Sequence, residues 1–292
     1  MNQNLIEIQN VSKRYNKNTL ALKDVNLTLK SGLFGLLGPN GSGKTTLMRI
    51  LSGIMQPTEG KVNLLGYDLN ILQQRQAAKA HLGYLPQQIG TYPQLSAREF
   101  LRFIARFKQI DQVNHEVERV LEIVRLTEDA DRHMRDFSGG MKRRIGIAQA
   151  LLGNPGCIIV DEPTTGLDPE ERLRIRNTLA QIATESIVIL STHIIDDISQ
   201  SCRQVGILDK GQILFQGELH ELITTAEGKV GQIYTQNNTL PPENLNIVSI
   251  RQLANGMQYR VLSEHLPAEA EIVQATLEDG YLWIMQQKNN PA

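Results

Sequence analysis

The chain has no long hydrophobic run: nowhere in it does an apolar stretch approach the roughly 18 residues that a membrane-spanning helix needs. The first residues, Met1-Asn2-Gln3-Asn4-Leu5-Ile6-Glu7, lack the basic segment and apolar stretch of a secretory signal. A cytoplasmic location is the expectation, and any service to a membrane would pass through a partner. Cysteine is scarce too. Cys157 and Cys202 are too few for a disulfide framework, and Cys157 sits in an apolar run, where a buried, inert thiol is expected. Neither sign of charge dominates: 30 basic and 31 acidic side chains leave a formal net charge of -1, which gives no hint of bulk nucleic-acid binding. Internal repeats, low-complexity stretches and heptad runs are lacking. With 292 residues, 41% hydrophobic and 21% charged, the chain can bury a sizeable core in one large domain, or in one large and one small.

The hydrophobic pattern places strands at Leu5 to Val11, Ala21 to Leu29 and Leu33 to Leu37, then a glycine-rich turn and a helix from about Lys44 to Leu51. Ser96-Ala97-Arg98-Glu99 is a capping box, because the serine hydroxyl can accept from an orphan helix amide while the glutamate reaches back. Behind it Phe100, Phe103, Ile104 and Phe107 recur at helical spacing and predict the apolar face. Arg98, Arg102, Arg106 and Lys108 would then form the opposite, solvated face. A second helix is expected near His115 to Val124, packed through Val117, Val120, Leu121 and Val124, and a third from Ser138 to just before Asn154-Pro155. The stretch 93–155 thus reads as a helical insert. Around it strand and helix alternate: Cys157 to Val160, a helix near Pro169 to Ala183, then Ile187 to Leu190. Such alternation predicts a parallel sheet with crossover helices.

From about Gly228 the character changes. Strands are expected near Val230 to Tyr234, Ile247 to Leu253, Tyr259 to Leu262 and Glu271 to Gln274, with a helix from Leu277 to Met285. Between His220 and Ala292 there are 4 basic against 8 acidic residues. We expect domains at 1–222 and 223–292, the second a small α+β unit.

Gly38-Pro39-Asn40-Gly41-Ser42-Gly43-Lys44-Thr45 fits the phosphate-binding pattern G-x-x-x-x-G-K-[ST], with a strand before it and a helix after it. Glycines let successive amides turn inward around an anion, and the following helix offers unpaired amides and a positive dipole end. Lys44 supplies a mobile point charge for β- and γ-phosphates. The Thr45 hydroxyl can ligate Mg2+, and Thr46 is counted with the nucleotide contacts. Farther on, Ile158-Ile159-Val160 leads into Asp161-Glu162, acids at the carboxyl end of a buried strand, where parallel sheets bind ligands. Asp161 is the candidate to hold Mg2+ and Glu162 the candidate to polarise an attacking water. The plain alternative for Asp-Glu-Pro is a helix N-cap.

These pieces occur in order with Tyr84-Leu85-Pro86-Gln87, Phe137-Ser138-Gly139-Gly140-Met141, Gly166-Leu167-Asp168-Pro169 and Ser191-Thr192-His193. In that order they resemble the nucleotide-binding subunit of an ATP-binding cassette (ABC) transporter, over approximately Leu5 to Glu218. The resemblance implies a P-loop NTPase fold: a RecA-like parallel sheet with an antiparallel β subdomain, a helical signature insert and, here, the small C-terminal α+β domain. It implies ATP as substrate with Mg2+. Tyr15 would stack on adenine, where a π-face suits a purine. Gln87 would sense Mg2+ and water near the membrane partner, with Gln88 as the competing register. Ser138, Gly139 and Gly140 would cap ATP held by an opposite subunit, Asp168 would lie in the loop crossing between subunits, and His193 would touch the γ-phosphate. The plain alternatives are a strand tyrosine, a loop glutamine, a flexible Ser-Gly-Gly turn, a helix N-cap at Asp168 and a structural histidine.

The usual signature of that family reads Leu-Ser-Gly-Gly-Gln, and Phe137 and Met141 depart from it. A methionine cannot make the polar contact of a glutamine. The form Phe-Ser-Gly-Gly-Met-Lys-Arg-Arg resembles a subgroup whose ATPase is a separate chain serving a multi-spanning permease, mostly exporters, and Thr276 to Leu282 loosely resembles the closing helix of an accessory domain there. The implied assembly is a head-to-tail dimer, of identical chains or of paralogues, with no nucleic acid. The competing reading is a soluble cassette ATPase acting on ribosomes or DNA; such relatives carry two cassettes or a long coiled-coil insertion. A third is an importer ATPase with a regulatory tail.

Overall fold

The computed structural model describes residues 5–16, 18–90, 92–235 and 245–289. They divide into two compact units, Met1–Gln216 and Gly217–Ala292, with the boundary near the end of a strand of the first unit's main sheet.

In the first unit, β1 (Leu5–Asn16) and β2 (Thr19–Lys30) form an antiparallel pair, and β4 (Glu59–Leu64) and β5 (Tyr67–Asp68) extend it in the order β2-β1-β4-β5. Ile6 and Ile8 of β1, Leu27 and Leu29 of β2, and Val62 and Leu64 of β4 are buried at alternate positions, leaving polar neighbours outside. The main sheet has six strands in the order β10-β9-β3-β8-β7-β6, comprising β3 (Gly32–Leu37), β6 (Leu82–Leu85), β7 (Cys157–Asp161), β8 (Ile187–Thr192), β9 (Gln204–Asp209) and β10 (Gln212–Glu218). The pairings β3–β8, β3–β9, β6–β7 and β7–β8 are parallel. Every residue of β7 and β8 is buried, the continuous apolar signature of a strand covered on both faces. The helices α1 (Lys44–Leu51), α2 (Leu72–Ala78), α6 (Pro169–Ile182) and α7 (Ile195–Ser199) join these strands. Leu47, Ile50 and Leu51 of α1 share one core with Ile8 and Val62 of the antiparallel sheet and Leu36, Ile159 and Ile189 of the parallel one. Because β3, β8, β7 and β6 are neighbours and parallel, the loops after Leu37, Thr192, Asp161 and Leu85 leave the same sheet edge. That edge is where open parallel sheets bind ligands.

The expected insert contains α3 (Ala97–Phe107), α4 (Val113–Ile123) and α5 (Gly139–Leu151). The capping box is formed: Glu99 N donates to Ser96 Oγ at 3.2 Å and Ser96 N to Glu99 Oε2 at 2.8 Å. The expected apolar face of α3 needs correction. Its buried residues are Ala97, Phe100, Leu101 and Ala105, while Phe103 is 50% and Phe107 81% exposed. The stripe at i, i+3, i+4 and i+8 is built around small alanines that let α3 approach its neighbours, so the large aromatics misled the spacing argument. The basic face is corrected in part, since Arg106 is exposed as expected. Arg98 pairs with Asp131 at 2.9 Å and with Glu118 on α4, Arg102 Nε donates to Asn114 Oδ1 at 3.0 Å, and Lys108 Nζ donates to Leu152 O at 2.6 Å. These side chains tie the insert together. Cys157 is buried, and its burial pushes the thiol far above its ordinary pKa, as an inert thiol requires.

The second unit has α8 (Leu219–Thr224), an antiparallel sheet in the order β12-β13-β11-β14, and α9 (Leu277–Asn289); its strands are β11 (Val230–Thr235), β12 (Asn246–Leu253), β13 (Gly256–Leu262) and β14 (Glu271–Ile272). Trp283 of α9 packs with Ala226, Val230, Leu262 and Ala275, and Lys229 Nζ lies 4.1 Å from the centre of its ring. A Cβ on Gly280 would fall 2.3 Å from Leu222 O, so α8 and α9 touch only because that position is glycine. Asp279 has no exposed surface and accepts from Arg260 Nε at 3.0 Å, Thr276 N at 2.7 Å and Thr276 Oγ1 at 2.6 Å. Burial pushes its carboxyl pKa up, but the bonds from Arg260 and Thr276 outweigh burial and hold it below the ordinary value.

Removing one partner of such a pair leaves the other uncompensated, so Asp279→Ala should cost about 3 kcal/mol, the low end of the usual range because Arg260 keeps some access to water. Trp283, the single tryptophan, reports this unit, and urea unfolding followed by its fluorescence measures the loss. The depressed pKa gives stability that is present above the ordinary carboxyl pKa of about 3.9 and lost as pH falls through the lower native value. The difference between wild type and Asp279→Ala should therefore shrink only at more acidic pH; a constant difference down to strong acid would contradict this assignment.

Candidate functional site

The loop 38–43 leaves the buried strand β3 and enters α1 under tight steric limits. A Cβ on Gly38 would lie 2.1 Å from Leu208 O, and one on Gly43 would lie 2.6 Å from Ala21 O. Gly41 and Gly43 have φ of 80° and 111°, a region open to glycine. Lys44 is buried and donates from Nζ to Gly38 O at 2.7 Å and Pro39 O at 3.1 Å, with Glu162 Oε1 at 3.8 Å. Burial lowers its ammonium pKa, against the pull of Glu162 and Asp161. The Ser42 hydroxyl is buried without a hydrogen-bond partner. Tyr15, 49% exposed, places its hydroxyl 3.2 Å from Thr46 Oγ1, beside the start of α1.

The two acids have different surroundings, as the alternation of a strand end dictates. Asp161 has no exposed surface. Its Oδ1 accepts from Ser191 Oγ at 2.6 Å, and its Oδ2 is buried with no hydrogen-bond partner. A buried, unpaired carboxylate oxygen is costly, and it suits a hard cation that takes oxygen ligands. Glu162 has φ of 50°, unusual for a branchless acid outside turns, and its backbone is fixed from both sides: its N donates to Ser191 O at 2.9 Å and its O accepts from Arg143 Nη2 at 3.1 Å. Its Oε2 accepts from Thr165 Oγ1 at 2.9 Å, and its Oε1 stands 3.1 Å from His193 Nδ1. Neither acid caps a helix. The next helix, α6, starts at Pro169 and is capped by Asp168, whose Oδ1 accepts from Glu171 N at 2.9 Å.

An open cavity of about 540 Å³ is lined by Ala21, Asn40, Gly41, Gly43, Lys44, Thr45, Thr46, Gln87, Glu162, Thr165 and His193. It brings the phosphate loop, Gln87, Glu162 and His193 together; Gln88 is not in the lining. Ser138, Gly139 and Gly140 are not in it either. They open α5, where Ser138 Oγ accepts from Met141 N at 3.1 Å, and Ser138 and Gly139 are exposed. Gly140 is buried, and a Cβ there would sit 2.7 Å from Glu171 Oε2, so this glycine lets α5 pack on α6.

Three contacts to this site were not read from the sequence. Arg143 donates to Gln87 O at 2.9 Å as well as to Glu162 O, and burial lowers its guanidinium pKa. In a run of Met141-Lys142-Arg143-Arg144 no local signal separates it from its neighbours. Thr165 and Ser191 are small hydroxyls whose roles arise only when the loops meet.

The family model described as ABC transporter matches residues 22–165. The linearmycin resistance ATP-binding protein LnrL of Bacillus subtilis is 36% identical over 228 residues, covering 77% of this chain and 72% of that one. The Nod factor export ATP-binding protein I of Cupriavidus metallidurans is 36% identical, over 77% of this chain and 74% of that one. Among solved structures, the dimeric post-hydrolysis state of the ATP-binding cassette MJ0796 bound to ADP and Pi aligns with a TM-score of 0.67 at 27% identity, over 73% of this chain and 98% of that one.

At Gly43 any side chain meets both a clash and a strained backbone, of order 1–3 kcal/mol. Gly43→Ala should weaken ATP binding by about ten- to a hundredfold, since 1.4 kcal/mol is a factor of ten. Titration with a fluorescent ATP analogue measures it, and wild-type affinity would show that the loop conformation is not used for nucleotide.

Proposed function

The chain belongs to the family of ABC transporter ATP-binding proteins and is an ATP-hydrolysing subunit; on that premise we propose that it powers a separate multi-spanning permease, in the direction of export, from the cytoplasmic face of the membrane. The observation that carries the reading is the convergence of Lys44, Gln87, Glu162 and His193 on one cavity at the carboxyl edge of the parallel sheet. No helix among the described residues is long and apolar enough to cross a membrane. The relatives named for Nod factor export and linearmycin resistance, and the signature Phe137 to Arg144, favour export.

The chemistry assigned to the residues is as follows. The amides of loop 38–45 and the start of α1 hold the β- and γ-phosphates of ATP, with Tyr15 against adenine. Lys44 exchanges its bonds to the Gly38 and Pro39 carbonyls for phosphate oxygens, which relieves its desolvation. Glu162 Oε1 takes a proton from the water that attacks the γ-phosphorus as the bond to ADP breaks, while Thr165 and Arg143 keep Glu162 in place. His193, beside that oxygen, donates to the γ-phosphate. The unpaired Asp161 Oδ2, the Thr45 hydroxyl and the Gln87 amide fit Mg2+, whose positive charge would stabilise the developing charge on the phosphates. Because Ser138, Gly139 and Gly140 stand outside the cavity of their own chain, we assign them to the nucleotide of a second copy or a paralogue, so that two ATP molecules are sandwiched in a head-to-tail pair.

Glu162→Gln should retain ATP affinity and lose turnover by about 10²–10⁴. It should also trap the pair, which light scattering with and without ATP detects. Near-normal steady-state hydrolysis would remove Glu162 from its role, and a monomer at saturating ATP would remove the sandwich. Purification from membranes should bring down a multi-spanning protein; recovery of ribosomes or DNA in its place would favour the soluble-ATPase alternative.

A further inference from the structure

Asp197, on α7, is a carboxyl with no exposed surface and no part in the roles assigned above. Its Oδ2 accepts hydrogen bonds from Thr164 Oγ1 and, at 3.4 Å, from Thr192 Oγ1. Its Oδ1 stands 3.5 Å from Nη1 of Arg176 on α6. Both threonines are fully buried as well. A charged group taken out of water is costly, and an apolar residue would serve packing alone. The partners indicate what Asp197 secures instead.

Each threonine sits beside a residue of the cavity. Thr192 precedes His193, and its hydroxyl accepts from Ile194 N at 2.9 Å, so the backbone is pinned on both sides of the histidine. Thr164 precedes Thr165, whose hydroxyl donates to Glu162 Oε2 at 2.9 Å. Thr164 O also accepts from Leu167 N at 3.2 Å, closing the turn that leads to Asp168. One carboxyl oxygen therefore joins the loop after β7 to the loop after β8. Next to these two threonines, His193 Nδ1 stands 3.1 Å from Glu162 Oε1. The other oxygen links the same point to α6, the helix that Asp168 caps.

We infer that Asp197 is a positioning residue for ATP hydrolysis: it sets the register of the Glu162 and His193 loops relative to each other and ties that register to α6. The inference rests on the roles proposed for Glu162 and His193. It makes a specific separation, because the bonds of Asp197 go to Thr164, Thr192 and Arg176 and Asp197 does not line the cavity. Loss of the node should misplace the groups that act on the γ-phosphate while leaving the cradle intact. Displacing reacting groups by about 1 Å can cost up to a hundredfold in rate.

The test uses the full chain with Asp197→Asn, Thr192→Val, their double variant, and Glu162→Gln as reference. Asp197→Asn keeps the shape and one acceptor but loses the ion pair with Arg176, and Thr192→Val cuts the path to Ile194 without altering Asp197. Both should lower kcat for ATP by about ten- to a hundredfold, with the dissociation constant for a fluorescent ATP analogue unchanged. The double variant should be no slower than the slower single, since residues acting through one path are not additive. Wild-type kcat in both singles, while Glu162→Gln is inactive, would overturn the inference and leave the proposed function standing. Equal losses of kcat and of nucleotide affinity would also overturn it, as the mark of general disruption. Should Asp197→Asn fail to fold, Thr192→Val alone decides by the same split. Full turnover in Glu162→Gln would instead count against the proposed function itself.

Discussion

The parallel pairing of β7 with β8 governs where chemistry can occur in this protein. The register sets Asp161 opposite Ser191, so that Ser191 serves twice: its hydroxyl donates to Asp161 and its carbonyl accepts from the amide of Glu162. Beyond that point both strands end, and the next residues, Glu162 and His193, meet at 3.1 Å. A slip of one residue along either strand would turn every side chain to the opposite face. The full burial of both strands, through Ile158, Ile159 and Val160 on one and Val188, Ile189 and Leu190 on the other, is what makes such a slip costly. The core thus fixes the site, and the polar residues at the strand ends inherit a geometry that they do not generate.

Much of this was legible because the governing rules are local. α1 begins at Lys44 and ends at Leu51 as its pattern indicates, since glycines stop one element and start the next. The capping box at Ser96 formed for the same reason, and the strands around Asp161 and His193 follow from unbroken apolar runs. What escaped the reading depends on partners distant in sequence. β4, β5 and β6 lack a strong alternation of their own and owe their state to pairing with β1 and β7. Phe103 and Phe107 look like core residues by type, yet alanines at 97 and 105 decide which side of α3 faces inward. Arg143 reads as one basic residue among several until the fold brings Gln87 and Glu162 to it. Asp197 is one of two adjacent aspartates in the sequence, and only the fold brings Thr164 and Thr192 to it. At the carboxyl edge of the parallel sheet the residue types were visible and their neighbours were not.

The electrostatics of the cavity follow from the same enclosure. Burial weakens the preference of Lys44 for its charged form, and that of Arg143 too, even with two carboxylates nearby. A triphosphate would supply the negative charge these cations lack and the oxygens that Asp161 Oδ2 could share through a metal ion. Groups held in place before the ligand arrives need little rearrangement when it does. The ammonium of Lys44 donates to the Gly38 and Pro39 carbonyls, bonds that phosphate oxygens would replace.

The position of α5 carries the argument to its last step. Its first residues, Ser138 to Gly140, are turned away from their own cavity and pack against α6 through Gly140 and Glu171. One turn later the same helix reaches inward, where Arg143 holds the carbonyls of Gln87 and Glu162. A helix is stiff along its axis, so a force on its start is felt at Arg143. In a sandwich of two chains the start of α5 would press on the partner's nucleotide, and Arg143 would bear on the glutamate and glutamine of its own. Packing α5 on α6 extends the link to Arg176 and hence to Asp197, behind His193. In such a pair, ordinary hydrogen bonds and close packing would suffice to couple the start of α5 to Arg143, with no need for a long-range device.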